Sequence, residues 1–279
     1  MIITVVGLGV VGGSFVKALK GLDHEVYGVD INEETLARAK AEGCIKEGFV
    51  DGHEIIKQSD LTIICLYPSL VLDYIQTHEF KKGSIITDAV GVKSYFLDQA
   101  MSIIDKDVEF VSGHPMAGRE NKGYDFASKE VFQGANYILI QHPQNKKESI
   151  ELMEQFVSSL GFHSVKILSP HDHDEIISFT SQLPHAIAVS LINSDSQKYD
   201  TGKYIGDSYR DLTRIANINE DLWTELFFTN KTCLLKSIQG FENQLDILKK
   251  AVLEEDSETL KKMFIESSKR RKNLEASQK

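Results

Sequence analysis

The chain has 279 residues, enough for roughly two domains of about 150 residues each, and its 42 % hydrophobic and 26 % charged content is ordinary for a globular protein. Its 31 basic and 41 acidic side chains leave a formal charge of −10, which argues against non-specific binding to nucleic acid or anionic membranes. An anionic small-molecule substrate stays compatible with that charge, because a site needs only one or two local cations. No apolar run reaches membrane-span length, the N-terminus reads as free of a signal peptide, and Cys44, Cys65 and Cys233 form no CxxC pair, so the expected setting is cytoplasmic with reduced thiols.

In chain order, Ile2 to Val6 is a β-branched run that predicts a buried parallel strand, and Phe15, Ala18 and Leu19 at helical spacing predict a helix from Gly12 to Lys20. Glu25 to Asp30 predicts the second strand. Asn32 followed by Glu33, Glu34 and Thr35 predicts a helix start that runs through about Ala41. Leu61 to Leu66, Ser84 to Thr87, Asp107 to Val111 and Asn136 to Gln141 predict further strands. A helix over Lys146 to Leu160 and a strand near His163 to Ile167 close this half. The alternation predicts an α/β fold with a doubly wound, mostly parallel Rossmann sheet. Beyond Ser169 and Pro170 only helices are predicted, over Asp174 to Ser194, Glu220 to Lys249 and Ser257 to Asn273, with a frayed end from Lys269 to Lys279. The expected division is a dinucleotide-binding domain at 1–168 and an all-α domain at 169–279. The long amphipathic helices of the second half favour a homodimer.

Gly7, Leu8, Gly9, Val10, Val11 and Gly12 match GxGxxG between a strand and a helix, and Asp30 ends the next strand eighteen residues past Gly12. Gly7 permits the tight turn, Gly9 lets the backbone approach a pyrophosphate, and Gly12 lets the helix close on the sheet. The helix N-terminus supplies free N–H groups to the phosphates. An Asp30 carboxylate would accept the ribose 2′-hydroxyl and repel a 2′-phosphate, which predicts NAD rather than NADP.

His114 lies in Ser112-Gly113-His114-Pro115-Met116-Ala117-Gly118-Arg119-Glu120, read as a loop on the ligand-binding side of the sheet. Its ordinary pKa near 6.5 suits a proton acceptor at neutral pH, and position alone fits a capping or packing histidine equally well. Arg214 could clamp a carboxylate, although taken alone it reads more simply as a helix arginine paired with Asp211. Ser181 and His185 are four apart around Pro184 and by themselves suit a helix start. His171 to Glu175 is read as a solvated acidic helix start with no metal site.

Together GLGVVGGS (Gly7–Ser14), Thr87–Lys93, GHPMAGRE (Gly113–Glu120), SQLPH (Ser181–His185) and RDLTRIA (Arg210–Ala216) with Trp223 resemble the prephenate dehydrogenase family, which includes arogenate dehydrogenases, over nearly the whole chain. The resemblance implies a Rossmann domain followed by a helical dimerisation domain, and NAD-dependent oxidative decarboxylation of prephenate to 4-hydroxyphenylpyruvate in tyrosine biosynthesis. It implies that His114 takes the ring-hydroxyl proton and Arg214 binds a substrate carboxylate. It also implies that Ser181 and His185 line the substrate pocket, Glu120 sits in an access-controlling loop, and Trp223 lies near the pocket or is supplied by a partner subunit. On this view an imidazole from the first half and a guanidinium from the second converge beside the nicotinamide. The alternatives are an arogenate dehydrogenase, another Rossmann-plus-helical dehydrogenase, and a non-catalytic NAD-binding module. Two departures stand out: Gly91 occupies the place of a serine expected to orient the catalytic histidine, and Gln182 replaces the first histidine of SHLPH.

Overall fold

The computed structural model describes residues 1–117 and 122–277, which form two compact units, Met1–Lys231 and Thr232–Lys279. In the first unit, β1 (Ile2–Val6), β2 (Glu25–Val29), β3 (Glu47–Phe49), β4 (Leu61–Ile64), β5 (Ile85–Asp88) and β6 (Glu109–Phe110) build a six-stranded parallel sheet in the order β3-β2-β1-β4-β5-β6. The strands connect through α1 (Val10–Leu19), α2 (Glu33–Ala41), α3 (His53–Ile56), α4 (Pro68–Thr77) and α5 (Leu97–Ile103). This is the Rossmann-type doubly wound sheet, with its switch of strand order at β1 and β4. Ile3, Val5, Ile63 and Ile86 are fully buried in it, as strands covered on both faces require.

The alternation does not run on through the whole first half. After β6 the chain leaves the parallel sheet and starts a second one, in the order β7 (Gly113–Pro115), β8 (Asn136–Ile140) and β9 (Ser164–Leu168). β7 pairs antiparallel with β8, and β8 pairs parallel with β9 across α6 (Lys147–Ser159). Only Val111 and Ser112 separate β6 from β7, too few for the crossover a parallel neighbour needs. His114 is therefore on a short strand, paired with Ile138, and not in a loop.

The segment expected as one helix from Asp174 is α7 (Pro170–Ile177), a π-helical turn (Ser178–Gln182) and α8 (Leu183–Asn193). Pro170 sits in the first turn of α7, where Ser169 caps it by accepting the Asp172 N–H. α9 (Asp207–Thr213) leads into a 3₁₀ turn (Arg214–Ala216) and α10 (Glu220–Thr229). The long helix expected over Glu220–Lys249 breaks at Asn230. That side chain is buried and donates to the Asp174 carbonyl at 2.9 Å and to Gln182 Oε1 at 2.8 Å. These inward bonds stabilise a non-helical backbone there, at φ −112° and ψ 27°.

α11 (Lys231–Leu253) and α12 (Ser257–Ser277) follow. The expected fraying from Lys269 is absent as far as Ser277, in a stretch carrying the i,i+4 pairs Arg270–Glu266 and Arg271–Glu275. No helix among the described residues is long and apolar enough to cross a membrane.

Candidate active site

The glycine-rich turn has the form a phosphate cradle needs. Gly7 has φ +83°, and a Cβ there would lie 2.6 Å from the Cys65 carbonyl oxygen. A methyl group on Gly12 would overlap the Gly7 carbonyl, whereas a Cβ on Gly9 would meet nothing within 4 Å. Gly7 and Gly12 thus close the turn, and Gly9 leaves open space in front of the α1 N-terminus for a group the size of a pyrophosphate. Asp30 closes the cradle from β2. Its Oδ2 accepts the Leu8 N–H at 2.7 Å and its Oδ1 accepts the Asn32 N–H at 2.8 Å. The carboxylate is fixed beside the turn and has acceptor capacity left for a sugar hydroxyl.

Beyond this turn opens a cavity of about 550 Å³, lined by Gly9 to Gly12, Gly91, His114, Ser181, His185 and Trp223 among others. Residues far apart in sequence thus share one wall. β7 presents His114, the π-helical turn presents Ser181, and α8 presents His185. Pro184, in the first turn of α8, lacks the N–H that a regular helix would bond back. π turns are frequent at functional sites. His185 Nδ1 bonds the Ser181 carbonyl at 2.9 Å, and its ring stacks on Trp223 with centroids 3.7 Å apart. Trp223 thus lines the cavity of its own chain. Arg214 is exposed and outside this lining, although its neighbour Ile215 belongs to it. Glu120 lies outside the described residues.

Behind the wall is a buried polar cluster that the sequence reading missed. His173 and Asp174, expected in a solvated helix start, are 0 % and 2 % exposed. His173 Nε2 lies 2.9 Å from His114 Nδ1, and His173 Nδ1 lies 2.8 Å from Asp174 Oδ1. The signal was periodicity: both residues share a helical face with the buried Ile177, four and three positions on. Lys93, also fully buried, donates through Nζ to Asp88 Oδ2 and to the Gly113 carbonyl, each at 2.6 Å. Asp88 further accepts the Val90 N–H at 2.9 Å and the Ser112 hydroxyl at 2.5 Å.

Burial pushes the His114 pKa well below the ordinary histidine value, and nearby His173 and Lys93 add to the effect. Burial likewise lowers His173, against the opposing pull of Asp174. Burial also lowers the Lys93 ammonium while Asp88 opposes it. Desolvation pushes the Cys65 thiol up, so this cavity residue is a poor nucleophile at neutral pH. A neutral imidazole at the end of a fixed polar chain, facing an open cavity next to a dinucleotide cradle, can accept a proton from a bound hydroxyl. Among the described residues no group of three His, Cys, Asp or Glu could hold a metal ion.

This fold and site define a nucleotide-binding domain that shares a reaction cavity with a helical segment. Family comparison agrees: residues 15–166 match the prephenate dehydrogenase nucleotide-binding domain and residues 169–266 the prephenate dehydrogenase dimerization domain. The chain belongs to the prephenate dehydrogenase family. It is 28 % identical to the prephenate dehydrogenase of Bacillus subtilis, over 94 % of this chain and 73 % of that one. It is 28 % identical to the cyclohexadienyl dehydrogenase of Zymomonas mobilis, over 96 % and 94 %. Among solved structures, prephenate dehydrogenase from Aquifex aeolicus in complex with hydroxyphenyl propionate and NAD+ superposes with a TM-score of 0.89 at 29 % identity, covering 98 % of each chain.

Proposed function

We propose that this chain is an NAD-dependent dehydrogenase that converts prephenate to 4-hydroxyphenylpyruvate with release of CO2. The observation that carries the reading is the convergence of the Gly9–Gly12 turn, His114, Ser181, His185 and Trp223 on one cavity. The similarity to prephenate dehydrogenases of Bacillus subtilis and Lactococcus lactis, at 28 % and 29 % identity, supports the choice of substrate.

Bound NAD supplies the hydride acceptor. Gly7, Leu8, Gly9, Val10, Val11 and Gly12 cradle its pyrophosphate, and Asp30 takes the adenosine ribose. Neutral His114 accepts a hydrogen bond from the ring hydroxyl and then its proton, as C4 gives up its hydride and the carbonyl forms; the ring carboxylate then leaves as CO2, its electron pair restores the aromatic ring, and the resulting phenolate oxygen takes a proton back. Restored aromaticity drives the step, and the protein contributes position and charge. Ser181 and His185 meet the polar groups of the substrate, with Trp223 stacked behind His185. Arg214, next to the lining residue Ile215, meets a carboxylate at the cavity rim, and Glu120 takes the part in controlling access that the family resemblance implies.

We take residues 1–168 as the nucleotide-binding part and 169–279 as the part that completes the site and pairs two copies in the cytoplasm. The match to a dimerization domain supports the pairing, as do exposed apolar side chains such as Leu245, Phe264 and Ile265 on α11 and α12. The test is NADH formation with prephenate and with arogenate, each with NAD and NADP. Turnover confined to prephenate and NAD supports the reading, and no NADH with either substrate refutes it.

A further inference from the structure

The buried chain behind His114 has a determinate pattern of protons. Asp174 Oδ1 lies 2.9 Å from the Lys93 backbone N–H, and Oδ2 lies 2.8 Å from that of Ser94. Both amides are obligatory donors. His173 Nδ1 adds a third contact at 2.8 Å. A carboxyl group whose two oxygens each accept a backbone N–H is held ionised, and an ionised carboxylate only accepts. The His173 proton is therefore on Nδ1.

Neutral His173 then offers a lone pair at Nε2. Only an N–H can face that lone pair at 2.9 Å, so His114 carries its proton on Nδ1. Its Nε2 is left as the base. That nitrogen points toward position 91, where it would lie 3.7 Å from a Cβ built on Gly91. Lys93 touches both ends of the chain: its N–H bonds Asp174, and its ammonium bonds the carbonyl of Gly113, immediately before His114.

We propose that His173, anchored by Asp174, is the positioning residue that fixes His114 with its proton on Nδ1 and its Nε2 lone pair toward the substrate, in place of a hydroxyl at position 91. The catalytic consequence rests on the reading under Proposed function, whereas the tautomer does not. With Gly91 bare, the Nε2 side stays open for the substrate hydroxyl, and orientation comes from behind the ring. Gly91→Ser adds a hydroxyl that competes for Nε2 and supplies no missing support.

The deciding experiment is a long-range ¹H–¹⁵N correlation spectrum of the histidine rings in the unmodified protein, free of cofactor and substrate, with His114→Gln used to assign the signals. The expected spectrum shows His114 and His173 protonated on Nδ1 and bare on Nε2. A His114 proton on Nε2 overturns the proposal, whether or not the protein turns over prephenate. Kinetics provide a second arm. The amide oxygen of Gln can accept the His114 Nδ1–H, whereas Met cannot. His173→Met is expected to lower kcat at least ~10-fold with KM for NAD within about twofold, and His173→Gln to recover most of that loss. Equal losses in the two variants at unchanged melting temperature, or a Gly91→Ser variant with kcat raised ~10-fold, overturn the proposal. The spectrum decides the matter even where His173→Met fails to fold.

Discussion

Replacing Lys93 by Met removes one half of a fully buried ion pair while keeping most of the apolar stem. The lost contacts are the bonds to Asp88 Oδ2 and the Gly113 carbonyl, both at 2.6 Å. Asp88 keeps the Val90 N–H and the Ser112 hydroxyl but loses its counter-charge, and the Gly113 carbonyl loses its Lys93 donor. Both charged side chains are 0 % exposed, so water cannot take over. Stranding one partner of a buried pair typically costs ~3–5 kcal/mol. At ~2–4 °C per kcal/mol for a unit of this size, the melting temperature should fall by ~6–20 °C. Thermal and urea unfolding of Lys93→Met beside the parent protein would read this. Neutralising the survivor as well, in Asp88→Asn/Lys93→Met, should recover a large part of the loss, because most of the cost lies in the uncompensated carboxylate. A Lys93→Met protein that melts within about 2 °C of the parent would refute the view that this pair pins β7.

Four further outcomes follow from the same geometry. His114→Gln should lower kcat by ~10²–10⁴ while the dissociation constant for NAD, measured by calorimetry, stays within about twofold; full turnover would remove His114 from the mechanism. Acid should destabilise the fold. His114 and His173 have folded pKa values below the ordinary ~6.5 that applies when unfolded, so below that pH the unfolded chain binds more protons and unfolding free energy declines. Their contribution is complete above ~6.5 and lost as pH falls toward the folded values, so urea midpoints that coincide at pH 7.5 and 5.5 would contradict it. The acid limb of kcat/KM should also lie below 6.5, and a limb centred there would show that His114 titrates normally. Finally, Gly12→Val should abolish NAD binding, because its side chain would occupy the place of the Gly7 carbonyl. An NAD affinity equal to the parent's in a titration would show that the turn tolerates a side chain.

Much of this protein was legible in one dimension because the relevant physics is local. The GxGxxG turn, its flanking strand and helix, and Asp30 at the next strand end lie within thirty residues, and local sterics require glycine at 12, against the Gly7 carbonyl, and at 7, where φ is +83°. Apolar runs such as Leu61–Ile64 marked buried parallel strands, and Asn32 with Glu33 and Glu34 marked a helix start, because backbone satisfaction and the helix dipole act over one turn. The motifs around His114, Ser181, Arg214 and Trp223 carried the family resemblance by residue type and order.

Other features depended on what each segment packs against. The short strand holding His114 gains its status from pairing with β8, which the local Gly-His-Pro sequence cannot encode. The helix break at Asn230 comes from partners at Asp174 and Gln182, 56 and 48 residues away. His173 and Asp174 look like solvated surface groups in a run of charges. Only the fold seals them from water behind His114, and sealing turns two ordinary polar residues into a chain with a fixed arrangement of protons. Sequence alone determined which chemical groups are present and which local turns hold them. Tertiary structure decided which of them are desolvated together, because burial and hydrogen-bond direction are set by neighbours that sequence distance does not reveal.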